Sequence, residues 1–119
     1  MTIDEHIATT LASLAGGRVY PDFAPEGTAA PYIVFQQVGG QALNHTEGSL
    51  PTAENCRIQL ATWGAMRTDV TTLAQQAEAL LLAATAFQAT TLGNRTNLVD
   101  EDTALRGARQ DFSVWVPRP

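Results

Sequence analysis

The side chains able to do chemistry in this sequence are few: His6, His45, Cys56 and the acidic run Asp100-Glu101-Asp102. A histidine acts as a base only when a partner is held against it, and His6 lies in the polar part of an amphipathic segment with no such pattern nearby. His45 stands in a polar stretch beside Asn44 and Glu47. A zinc site needs several ligands at workable spacing, which two histidines and one cysteine scattered along the chain do not supply. Cys56 opens a β-type run, where a free cysteine serves as a small buried hydrophobe. A reactive thiolate needs an electropositive setting, and this sequence offers none. The acidic run lacks the spaced oxygens and turn glycine of a calcium loop, so it reads as a solvated turn. Gly16-Gly17 and Gly39-Gly40 lack the lysine and further glycines of a phosphate loop. No serine stands in a nucleophile-elbow context. Asn44-His45-Thr46 and Asn94-Arg95-Thr96 match the glycosylation sequon, which has meaning only on export. The expectation is a chain with no catalytic residue, no cofactor and no metal.

The sequence offers binding surface instead. Trp63 and Trp115 each fall on the strand face opposite their apolar neighbours Ile58, Leu60, Phe112 and Val114. Tryptophan and arginine dominate binding energy at protein interfaces, so Trp63, Trp115, Arg106 and Arg109 are candidate subunit contacts. The plainer reading is a partly covered surface tryptophan, or a small second core. All cationic residues are arginines, a residue enriched at interfaces because its planar fork bonds bidentately. Codon bias explains the missing lysine equally well.

Several elements must position these groups. Ile3, Ile7, Leu11 and Leu14 form one helical stripe, with Asp4 and Glu5 in the first turn, where carboxylates favour the dipole. Gly16-Gly17 is expected to stop this helix. Residues 21–31, with three prolines, read as irregular. Tyr32 to Val38 is β-branched and aromatic, hence a strand, and a second strand runs from about Cys56 to Trp63. Between them the polar stretch 39–55 is far longer than a hairpin loop. It is the candidate partner-contacting arm, with Asn44, His45 and Glu47 in it. Val70, Leu73, Ala74, Ala77, Leu80, Leu81 and Ala84 mark a second helix, with Thr68 or Asp69 as its cap. Strands follow at about 87–92, 96–99 and 105–116, the last with Phe112, Val114 and Val116 alternating with Asp111, Ser113 and Trp115. These elements predict an α+β fold: a mostly antiparallel sheet of four to five strands with two helices on one face.

At 119 residues there is room for one domain. The hydrophobic share of 45% is that of an ordinary globular chain. The net charge of −5 and the absence of a basic run make a phosphate-gripping protein unexpected. One cysteine cannot form an internal bridge, which suits a reducing cytosol, and the amino terminus lacks a signal-peptide pattern. The expectation is a soluble protein made without export and without membrane contact.

Three stretches together resemble the tail terminator, or tail completion, proteins of long-tailed bacteriophages and prophages. They are Arg18 to Thr28 leading into Pro31-Tyr32-Ile33-Val34-Phe35-Gln36, then Arg57 to Trp63 ahead of a helix, then Arg109 to Trp115 near the end. The likeness spans nearly the whole chain, and its specificity lies in the combination. One departure is Gly64-Ala65-Met66, less polar than a helix lead-in of that pattern. The resemblance implies a structural protein of the virion, assembled in the host cytoplasm. It implies a self-assembled ring, six subunits being typical, on the head-proximal end of the tail tube. Such a ring halts tube polymerisation, meets the tail tube protein below and the head–tail connector or neck protein above, and passes DNA without specific binding. The competing expectations are another connector or neck protein, and a small dimeric α+β ligand-binding domain.

Overall fold

Two long strands form the spine of the molecule. β3 (Ala53–Gly64) and β6 (Leu105–Pro117) pair antiparallel from Ala53 opposite Pro117 to Gly64 opposite Arg106. The computed structural model describes residues Met1–Pro119. It is an elongated body of 53 × 26 × 23 Å. β2 (Tyr32–Gln37) lies antiparallel on the free side of β3, and the short β1 (Val19–Pro21) lies parallel to β2. The other side of β6 is shared by β4 (Gln88–Thr91) and β5 (Thr96–Asp100), both antiparallel to it. The result is an α+β fold with a mostly antiparallel sheet. It has six strands, beyond the four to five expected. The addition is β1, which has three residues and ends in proline. It is held by its pairing to β2 and by the Ile33 N–H donating to the Arg18 carbonyl.

Both helices cover one face. On that side Ile33, Phe35, Cys56, Ile58, Leu60, Phe112, Val114 and Val116 meet Ile3, Ile7 and Leu11, and Leu73, Ala77 and Leu81. Each large side chain buried there contributes roughly 1.5–3 kcal/mol. Helix α1 (Ile3–Thr10) opens with a capping box. The Thr2 hydroxyl accepts from the Glu5 N–H, and the Thr2 N–H donates to the Glu5 carboxylate at 3.0 Å. That backbone bond holds the Glu5 carboxyl below its usual range.

α1 stops at Thr10, short of the glycine pair expected to end it. Thr9 and Thr10 are β-branched, and the Thr10 hydroxyl donates to the His6 carbonyl at 2.7 Å, a bond that bends a helix. Leu11 still reaches the core beyond the break. Gly16 and Gly17 form a separate 3-10 turn at positive φ, 60° and 83°.

Helix α2 (Arg67–Ala83) begins earlier than its apolar period suggests. Its N-cap is Met66, which provides no side-chain bond, so Thr68 and Asp69 lie inside the first turn instead of capping it. The start is fixed by Arg67, whose guanidinium donates to the carbonyls of Gly107 at 2.6 Å and Leu98 at 2.9 Å. Gly64 has a packing reason: a Cβ there would lie 3.1 Å from Val70 Cγ2. No helix is long and apolar enough to cross a membrane.

Candidate assembly interface

The sheet face away from the helices carries no covering element of regular structure. Strand alternation puts Tyr32, Val34, Ala61, Trp63, Arg57, Arg109, Asp111 and Trp115 on it. Tyr32, Trp63 and Gly107 form one cross-strand row. The Trp63 ring lies flat over Gly107, where an added Cβ would come within 2.7 Å of the ring carbons. Glycine is thus required for the indole to lie on the sheet. Arg109 is two residues further along and exposed, with no ion pair in the chain. Its neighbour Asp111 is engaged by Arg57 through bonds of 2.7 and 3.0 Å.

Trp115 shares this face but pairs with Asn55, eight residues from Gly107 along β6. That is about 27 Å at 3.4 Å per residue, so the two tryptophans are separate features. Arg106 is on the helix side, where its guanidinium donates to the Ala65 carbonyl at 3.1 Å. The candidates grouped by residue type therefore occupy both faces.

The remaining candidates, Asn44, His45 and Glu47, sit in the arm. Its exposed part runs from Gly39 to Leu50. Ala53–Asn55, placed in this stretch by sequence, are the first residues of β3, because β6 is long enough to pair with them. Asn55 is satisfied there. Its amide donates to Ser113 Oγ at 2.9 Å, and its side-chain carbonyl accepts the Gln41 N–H at 2.9 Å. The tip is a turn closed by the Gly48 N–H on the His45 carbonyl, with His45 Nδ1 3.1 Å from Ser49 Oγ and 3.6 Å from Glu47. The arm returns against the C-terminus, where Arg118 donates to the carbonyls of Pro51 and Thr52.

Sequence reasoning passed over exposed apolar groups outside the regular elements. Phe23 is 75% exposed and Leu50 76%. Phe23 had one signal, an aromatic between prolines in a segment that cannot bury it.

The reactive groups sit as follows. His6 packs edge-on against Phe87, centroids 5.9 Å apart. Asp100 bonds the N–H of Asp102 in the β5–β6 turn. No cluster of His, Cys, Asp and Glu has metal-binding geometry. Cys56 is fully buried, and burial, with Glu54 adding, pushes its thiol from 9.0 to about 11. Burial and Asp100 likewise raise Tyr32.

Both shifts make stability fall with rising pH. From pH 9 the unfolded chain releases the cysteine proton before the folded chain does, so stability is full below 9 and declines toward 11. Lysine is absent, so that window is free of ammonium titration. Urea unfolding is expected to lose on the order of 2 kcal/mol across it. Cys56→Ala, less stable at neutral pH, should show a shallower decline. A wild-type stability flat to pH 11 would contradict this.

The molecule thus presents an open sheet face and a long exposed arm, and its single thiol is buried. The sequence matches the family model of tail completion protein gp17 over residues 6–117. The chain belongs to that family, and its role is structural, in the assembly of a phage tail. Among solved structures it is similar to a chain in the virion of a native gene transfer agent particle. The TM-score is 0.62 at 16% identity, covering 94% of this chain and 92% of that one. At that identity the likeness speaks for the fold. No curated protein matches the sequence.

Proposed function

We propose that the chain forms a ring, six copies being the expected number, on the head-proximal end of the tail tube. It ends tube polymerisation and presents the joining surface for the head. The observation that carries this reading is the family match across residues 6–117. The bare face and the arm supply the surfaces such a role needs. A contact repeated around an axis closes when the rotation fits. The interface residues proposed are Trp63, Arg109 and Trp115 on the open face, Arg106 beside the start of α2, and Asn44, His45 and Glu47 at the arm tip. The tail tube protein and the connector or neck protein are the partners, and no catalytic step is involved.

Six copies of a chain of net charge −5 carry −30. An acidic lumen repels DNA and lets it slide without sticking. The test is electron microscopy of the purified protein mixed with isolated tail tubes. Density capping one end, with tubes that no longer elongate, is expected. Binding along the tube side, an arginine-lined pore, or no binding would each count against the reading in that part.

The arm is expected to order on assembly, as exposed segments without a core of their own do. Amide exchange from Ala42 to Glu47 should be fast in the free subunit and at least ~10-fold slower on the tail. Equal protection in both states would remove the arm from the contact.

A further inference from the structure

Cross-strand register places two unlike features at the same level on opposite edges of the sheet. Pro21 pairs with Phe35, so Asp22 continues into the row of Gln36, Gln59 and Asp111, where the Asp22 N–H donates to the Phe35 carbonyl. At the far end of that row, Leu92 donates its N–H to the Asp111 carbonyl.

The first edge carries a projection. Asp22 has φ 70°, and the Phe23 N–H closes back on the Pro21 carbonyl at 2.8 Å. This three-residue turn with a positive central φ is a strained form. Strain of this kind concentrates at binding and switch sites. It holds Phe23 out at 75% exposure, and the exposed Asp22 carboxylate has no partner in the chain.

The second edge carries a notch. β4 ends at Thr91 and β5 begins at Thr96, so on this side, away from β3, β6 has no strand partner at Gln110 and Asp111. The hollow there is lined by Leu92, Asn94, Thr96 and Arg109, with the Arg57–Asp111 pair as its floor. Leu92 is 49% exposed. Arg109 is the wall's unpaired cation, since Asp111 is taken by Arg57.

We propose that the Asp22–Phe23 turn of one copy plugs into the Leu92–Arg109 notch of a second copy. The carboxylate meets Arg109, and the ring packs on Leu92. A projection on one edge and a receptor on the other make a head-to-tail contact, which generates a ring where a two-fold contact would stop at a dimer. This deepens the ring reading and rests on it, by naming the partner of the two edges.

Two sets of variants of the full chain test the contact, free and on tail tubes. Phe23→Cys with Leu92→Cys, oxidised, should give a crosslinked ladder beyond the dimer, while each single cysteine gives at most a dimer. Cys56 is buried and stays out of the reaction. Asp22→Arg and Arg109→Asp should each weaken self-association at least ~10-fold, and the two together should restore it to within ~3-fold. Circular dichroism checks that each variant is folded, and the cysteine pair stands as the test if Asp22→Arg is not. A self-associating wild type whose cysteine pair gives no ladder overturns this contact and leaves the ring intact. A wild type that never self-associates, even on tubes, overturns both.

Discussion

Phe112→Ala lowers the unfolding free energy by about 3–5 kcal/mol. Its ring is fully buried, pairs across the sheet with Ile58 on one side and Thr91 on the other, and lies under the helices. Removal forfeits the transfer energy of the ring and leaves a cavity that two paired strands cannot collapse to fill. Domains of this size have only about 5–15 kcal/mol in total, so roughly a fifth or more of the stability goes. Phe23→Ala is the contrasting control. It removes the same ring from a site 75% exposed, and unfolding should shift by less than ~0.5 kcal/mol. Urea denaturation of the two variants against wild type reads the difference. A Phe112 variant within ~1 kcal/mol of wild type would mean that the core is not where the helices meet β6. Because assembly stabilises any folded subunit by mass action, wild type and variant should gain the same increment on a tail, and the Phe112 deficit should persist there.

Gly40→Ala is expected to cost about 2–4 kcal/mol and to misplace the arm. The chain leaves β2 through an extra residue: the Val38 N–H donates to the Arg57 carbonyl, while the Arg57 N–H donates to Gly39, each at 2.8 Å. This is a bulge, which turns a strand out of its ladder. Gly40 then lies on β3 at φ 147°, and a Cβ there would overlap the Asn55 carbonyl. Alanine must push the arm away from the sheet, and the Gln41–Asn55 bond is lost with it. Gly48 also has positive φ, 81°, but nothing lies within 4 Å of its Cβ position. Gly48→Ala should therefore cost only about 1 kcal/mol, and the pair separates steric contact from backbone strain. Equal losses for the two variants would show that contact with Asn55 is irrelevant. On the proposed role the same two proteins divide function: Gly40→Ala should cap tail tubes poorly, and Gly48→Ala nearly as well as wild type.

Periodicity along the chain determined the parts of this protein that depend on neighbours in sequence. The alternation of Phe112, Val114 and Val116 with Asp111, Ser113 and Trp115 and the apolar stripe of Val70 to Leu81 are local signatures of burial on one side, and both elements formed where those signatures lie. The α+β layering follows from them. The scarcity of reactive groups was legible too, since chemistry needs particular residue types and these are few.

Tertiary structure decided whatever rests on partners distant in sequence. β1 exists only because β2 is there to pair with it. Ala53–Asn55 are extended because β6 supplies a template, and α2 begins at Arg67 because the carbonyls of Gly107 and Leu98 lie within its reach. Residue type alone groups Arg106 with Arg109, whereas the pleat sends them to opposite faces. The levelling of Asp22 with Leu92 across the sheet depends on the register of successive strand pairs. Register is set by how side chains from distant segments pack on a shared face, and no window of neighbouring residues contains that information.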